Sequence, residues 1–127
     1  MRYLLDTHAI LWFFLDSWQL SEVAAQIMQD LDAQKCISIA SIWEFAIKLS
    51  IGKLQFDGGL PQFWRMVNEN GIDILPITLP YLLSMSTLPF HHRDPFDRLI
   101  VASAKTDNLR ILTADDNIRK YDVETLW

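Results

Sequence analysis

His91-His92-Arg93-Asp94-Pro95-Phe96-Asp97-Arg98-Leu99-Ile100-Val101-Ala102-Ser103-Ala104 is the stretch from which the rest of the chain is read. Pro95 suits a first helical position, where its missing N–H would have had no partner anyway. Asp94 before it is a natural N-cap, which puts Asp97 at the third helical position. Ile100, Val101 and Ala104 follow Asp97 at spacings of three, four and seven and share its face. Arg98, Ala102 and Lys105 form another stripe, expected to be more solvated. Asp97 therefore projects from a face that otherwise looks inward. A half-buried carboxylate is costly unless it is paired, protonated or bound to a metal. The plain alternative is that both acids only complement the helix N-terminus, each worth about 0.3–1 kcal/mol. That reading suits Asp94 better than Asp97.

Working outward, short apolar runs alternate with helical patterns. Tyr3-Leu4-Leu5 reads as a buried strand ending at Asp6, and Thr7 to Leu15 as a short helix. Ser21-Glu22 opens a helix to about Asp32, with Val23, Ile27, Met28 and Leu31 expected on its inner side. Cys36 to Ile39 is the second strand, followed by a helix over Ala40 to Ser50 that is apolar nearly all round. Pro61 to Asn68 is helical, Ile72 to Leu75 a strand, and Pro80 to Ser86 a short helix. The helix from Pro95 ends near Asp107-Asn108, Leu109 to Leu112 is a fourth strand, and Asp115-Asp116-Asn117 opens a turn or short helix. Asp122 to Thr125 is a candidate edge strand. Strands separated by helices indicate a parallel sheet covered on both faces, in one α/β domain.

The composition is compatible with this. A chain of 127 residues, half of them apolar, can bury an ample core. The single cysteine, Cys36, lies in an apolar run and excludes a disulfide framework. Asp6 interrupts the N-terminal apolar run too early for a signal peptide, and Ala9 to Leu15 is far too short for a membrane span. A reducing, cytoplasmic setting is expected. A net charge of −5 is unusual for a nucleic-acid binder, but convergence of several acids on metal ions would leave the remaining surface near neutral.

The positions of the acids matter more than their number. In open α/β sheets the working crevice lies beyond the carboxyl ends of the strands. Asp6 follows the first strand, Glu44 lies early in the helix after the second, and Asp97 opens the helix before the fourth. Asp115 and Asp116 come just after that fourth strand. Right-handed crossovers bring all these points to one end of the domain. Each acid also has a local explanation: Asp6 as a helix cap, Glu44 in a Ser41-x-x-Glu44 capping box or paired with Lys48, Asp115 in an Asx-turn. Taken jointly, crowded carboxylates raise one another's pKa, and a multivalent cation relieves that. Oxygen ligands without paired His or Cys point to Mg²⁺ or Mn²⁺.

Four segments carry a family resemblance: Leu5-Asp6-Thr7-His8, Ser41-Ile42-Trp43-Glu44, His92 to Ile100 with Ala102 and Ala104, and Leu112-Thr113-Ala114-Asp115. In this order and spacing the chain resembles the PIN-domain ribonucleases, in particular the VapC-like toxins of toxin–antitoxin pairs. The resemblance covers essentially all of residues 1–127 and implies a single PIN-like domain, a three-layer α/β/α sandwich around a mostly parallel sheet of four to five strands. It implies a metal-dependent endoribonuclease whose Mg²⁺ or Mn²⁺ is held by Asp6, Glu44, Asp97 and Asp115. Asp94 would be a fifth acid beside them, and Thr113 a hydroxyl near the metal. An RNA substrate, a cognate antitoxin and a homodimer are implied in the same way.

Two other classes were weighed. A receiver-type signalling domain also clusters acids at strand ends, but it needs an acidic pair after the first strand and an Asp after the third, where this chain has one Asp6 and Leu75-Pro76. A non-catalytic binding module would use the acids only as caps. His8, His91 and His92 receive no role from the sequence. Trp12, Phe13, Phe14 and Trp18 lie near the expected crevice and are candidates for partner contact, with at least half of them expected in the core.

Overall fold

The computed structural model describes residues 2–127. Its elements are β1 (Arg2–Leu5), α1 (Thr7–Phe14), α2 (Glu22–Gln29), β2 (Gln34–Ser38), α3 (Ile39–Ser50), α4 (Gly59–Glu69), β3 (Asp73–Leu75), α5 (Leu79–Ser86), α6 (Pro95–Asp107), β4 (Arg110–Leu112), α7 (Asp116–Arg119) and β5 (Thr125–Leu126). The five strands form one sheet in the order β3-β2-β1-β4-β5, and every neighbouring pair is parallel. This is the expected α/β/α architecture. The order also excludes the receiver-type arrangement, in which the chain's second strand lies at the sheet edge beside the first and the third lies on the other side.

The pleat separates two apolar layers. Leu4 stands opposite Cys36 on β2 and Ile111 on β4, and these three pack with Tyr81 of α5, Leu99 to Ala102 of α6 and Ile118 of α7. Their chain neighbours Leu5, Ile37 and Leu112 point to the other face, against Ile10 of α1, Met28 of α2, Phe45 of α3 and Phe63 of α4. Phe45 and Phe63 stack with ring centroids 4.0 Å apart. Consecutive strand residues point to opposite faces, and both sets are apolar because helices cover both faces. Cys36 is a core residue, as expected.

Three local expectations are corrected. The helix from Ser21 stops at Gln29 rather than near Asp32. Lys35 Nζ donates to the carbonyls of Met28 at 3.0 Å and Asp30 at 2.7 Å, and closes that helix end. Leu31 consequently lies beyond the helix and is 94% exposed, and Val23 is exposed as well. The cap of α3 is Ser38, whose hydroxyl accepts the Ala40 N–H, so Ser41 sits inside the helix and forms no capping box. Arg98 is not solvated: it is 3% exposed. Its guanidinium donates to the carbonyls of Pro89 (2.9 Å) and Leu88 (3.3 Å) and to the Tyr121 hydroxyl (3.1 Å). The helix of the opening stretch has the expected start and end, with Asp94 as N-cap and Asn108 in the left-handed conformation as C-cap. Among the described residues, no helix is long and apolar enough to cross a membrane.

Candidate active site

The chain reverses its direction of travel across the sheet between β1 and β4, and the carboxyl ends of these strands open onto the crevice that such a switch creates. Asp6 leaves β1 there, with its N–H bonded to the Leu112 carbonyl at 3.1 Å. Although Asp6 occupies the N-cap position of α1, its carboxylate makes no capping bond. Instead Thr113 Oγ1 donates to Asp6 Oδ2 at 2.7 Å. The same hydroxyl accepts the Asp115 N–H at 3.0 Å, so it links the acids that follow β1 and β4. Asp6 is 5% exposed. Burial pushes its carboxyl above the usual range; the Thr113 bond and His8 oppose this, and Asp115 adds to it.

Glu44 stands in the second turn of α3. Thr7 Oγ1 donates to it at 3.4 Å, and Lys48 Nζ approaches its other oxygen at 3.5 Å. Burial raises its carboxyl, Lys48 counteracts, and Asp94 and Asp6 raise it further. Ser41, one turn earlier on the same helix face, has a buried hydroxyl with no hydrogen-bond partner.

Asp97 is strongly perturbed as well. Its carboxyl is pushed up to about 8, first by burial and then by Asp94, Asp6, Asp115 and Glu44. These acids come from separate parts of the chain, and all act on one side chain. Asp94 also caps α6, accepting the N–H groups of Phe96 (2.9 Å) and Asp97 (3.1 Å). Asp115 caps α7 through the Asn117 N–H at 2.8 Å. The local roles expected of Asp94, Asp115 and the Glu44–Lys48 pair are therefore present, and the cap expected of Asp6 is not. Asp116 is exposed.

The four acids are close enough to act on one another electrostatically. Yet among the described residues no three His, Cys, Asp or Glu side chains already stand in a metal-ligating group. The donor chemistry nevertheless fits a hard cation: carboxylates and hydroxyls only, with an unpartnered buried hydroxyl beside Glu44. Mg²⁺ keeps several waters and takes one or two carboxylates directly, which suits acids held apart by their own charge.

No role for His92 follows from the sequence alone. Its Nε2 lies 3.1 Å from Asp97 Oδ2 and its Nδ1 2.9 Å from the Tyr121 hydroxyl. The only signal was its place in the loop just before the Asp94 cap. Of the aromatic candidates, Trp12 packs against Trp127, Phe14 against Phe63 and Phe13 against Phe14, whereas Trp18 is 91% exposed.

A doubly wound parallel sheet with a carboxylate-lined crevice at its switch point defines the general class. More particularly, the chain belongs to the PIN domain family, whose model matches residues 3–124. Among the curated proteins, none matches the chain by sequence. Solved structures share the fold at low identity. The VapBC2 structure from Rickettsia felis, bound to a DNA fragment from its promoter, aligns at 13% identity and TM-score 0.76, covering 100% of this chain and 99% of that one. VapBC-1 from nontypeable Haemophilus influenzae aligns at 17% and 0.72, covering 99% and 97%. FitAcB from Neisseria gonorrhoeae aligns at 21% and 0.67, covering 98% and 96%.

Proposed function

We propose that residues 1–127 act as a single PIN domain that hydrolyses RNA phosphodiester bonds with Mg²⁺ or Mn²⁺, as the toxin of a toxin–antitoxin pair in the cytoplasm. The observation that carries this reading is the convergence of Asp6, Glu44, Asp97 and Asp115 on one crevice, with Asp97 pushed to about 8 and Lys48 committed to Glu44. A set of carboxylates bound only to cap helices would not need to share a crevice. Asp6, Glu44 and Asp97 would hold the ion, with Asp115 completing the set. When bound, the ion supplies Lewis acidity to a phosphoryl oxygen and a lower pKa for attacking water. Thr113 fixes the orientation of Asp6 and the backbone of Asp115 through one hydroxyl. Nothing at the crevice is arranged as a covalent nucleophile, so the residues bind and orient while water attacks. A single-stranded loop of RNA is the expected substrate form, because its bases and backbone are accessible.

An antitoxin partner is proposed on the likeness to the VapBC and FitAB structures. Trp18 and Leu31 are apolar side chains that this fold leaves almost fully exposed. A homodimer is proposed as well: Leu79, Leu82 and Leu83 of α5 and the nearby Phe90 leave apolar surface that a second copy would cover. The test is cleavage of a mixed RNA pool by the purified chain with EDTA, Mg²⁺ or Mn²⁺, alongside Asp97→Asn. Metal-dependent cleavage that the variant loses is expected. Cleavage by the variant at the parental rate, or none by the parent with any of these metals, removes the proposal.

A further inference from the structure

The loop between α5 and α6 is held in an unusual way. Arg98 is buried, and its guanidinium reaches back to the carbonyls of Met85 (3.4 Å), Leu88 (3.3 Å) and Pro89 (2.9 Å). The same group donates to Tyr121 Oη at 3.1 Å, and its carbon lies 3.9 Å from the centroid of the Phe90 ring. A buried cation of this kind is tolerable only because its donors meet acceptors. The loop that carries His92 is thereby fastened to α6, the helix that carries Asp97. Tyr121, 4% exposed, completes the arrangement: its hydroxyl lies 2.9 Å from His92 Nδ1, and its ring packs edge-on to the rings of His91 and His92. His92 Nε2 is left 3.1 Å from Asp97 Oδ2.

We infer that His92 is a positioning residue for the carboxylate of Asp97, held by Tyr121 and Arg98 so that its Nε2–H bonds Oδ2 and fixes how Asp97 would be presented to a metal ion. This rests on the metal-dependent reading of the site given above. The direction of the bonds follows from donor and acceptor inventory. Arg98 can only donate, so Tyr121 Oη accepts from it and keeps its own proton to give. His92 Nδ1, at 2.9 Å, is a nearer acceptor for that proton than the His92 carbonyl at 3.4 Å, and a bond to Nδ1 leaves the ring's proton on Nε2. Ionised, as it must be to hold a cation, the Asp97 carboxylate can only accept, and Nε2–H then points at it. The arrangement is the reverse of a ligand histidine oriented by a carboxylate: here the imidazole orients the carboxylate.

The test measures binding of Mn²⁺ alone by calorimetry, and imidazole ¹⁵N shifts by NMR with diamagnetic Mg²⁺ present to keep Asp97 ionised, on the full chain. The parent is expected to show His92 with its proton on Nε2. His92→Ala is expected to weaken Mn²⁺ about 10- to 100-fold, the range for residues that orient metal ligands, with thermal melts confirming that it folds. His92→Gln, whose side-chain amide can donate to Asp97, is expected to recover most of that loss. Tyr121→Phe, which keeps the packing, should lose the single tautomer and bind with intermediate affinity. A folded His92→Ala with the parent's Mn²⁺ affinity overturns the inference and leaves the proposed function standing. A parent that binds no Mn²⁺ overturns both. A proton on His92 Nδ1 alone in the parent overturns the inference without any variant, so failure of His92→Ala to fold does not protect it. His92→Gln no better than His92→Ala, with both folded, also counts against it.

Discussion

Asp97→Asn in the metal-free protein is expected to raise stability, and to do so only above acidic pH. In the folded chain the Asp97 carboxyl is pushed up to about 8, first by burial and then by the surrounding acids, whereas in the unfolded chain it titrates near 4. Between these values the folded protein keeps a proton that the unfolded chain has released. The stability associated with that proton is fully present below about pH 4 and is lost as pH rises through about 8. The slope is about 1.4 kcal/mol per pH unit for one group, so the whole interval is on the order of 5 kcal/mol. Asp6 and Glu44, also raised mainly by burial, act with the same sign. Asn keeps the shape and an acceptor for His92 but cannot ionise. With EDTA, the variant should therefore melt well above the parent at about pH 8.5, by roughly 6 °C or more if only 2 kcal/mol is realised. At about pH 5 the two should differ much less. Mg²⁺ or Mn²⁺ at about 100 times Kd should stabilise the parent by about 2.7 kcal/mol, and the variant by less. Differential scanning fluorimetry at both pH values, with EDTA and with each metal, reads all of this. Equal melting temperatures for the two proteins under EDTA at both pH values, with no metal shift, would refute the shared carboxylate crevice.

Other substitutions separate local from shared roles. Asp94→Asn should be mild in stability because Asn caps about as well as Asp, and Asp94→Ala should cost about 1 kcal/mol in denaturant melts. Loss of cleavage in Asp94→Asn at unchanged stability would instead make Asp94 part of the reactive set. Thr113→Val keeps the volume but strips the bond to Asp6 and the acceptor of the Asp115 N–H. A loss of about 1–3 kcal/mol is expected in urea melts, with Mn²⁺ affinity falling in calorimetry. Lys35→Met should cost a similar 1–3 kcal/mol by freeing the buried carbonyls at the end of α2, and hydrogen exchange should localise the loosening to that helix.

The order of elements was legible because it depends on local signals. Short apolar runs such as Tyr3-Leu4-Leu5 cannot be amphipathic helices, and Asp94-Pro95 announces a helix start in two residues. That Asp6, Glu44, Asp97 and Asp115 come near one another was also legible, since strand ends and helix starts in parallel sheets share an edge. The end of α2 was not legible, because the group that closes it is Lys35, which lies beyond it on β2. Nor was the burial of Arg98. Helical spacing placed it on an outer stripe, but its acceptors are carbonyls of the preceding loop and a hydroxyl 23 residues further on. His92 was missed for the same reason. It precedes the cap of α6, so no helical register relates it to Asp97, and the bond between them exists only once Tyr121 has arrived.

The central position of β1 bears on when the carboxylates come together during synthesis. β1 lies between β2 and β4 in the sheet, and β4 is made long after it. The Thr113–Asp6 bond spans 107 residues, and Asp115 and Tyr121 are made later still. Contacts so distant in sequence close late and slowly. A growing chain therefore carries Asp6, Glu44 and Asp97 before Thr113 and Tyr121, which bond to Asp6 and His92, have been added. Truncation before Thr113 removes the one hydroxyl that holds both Asp6 and the backbone of Asp115.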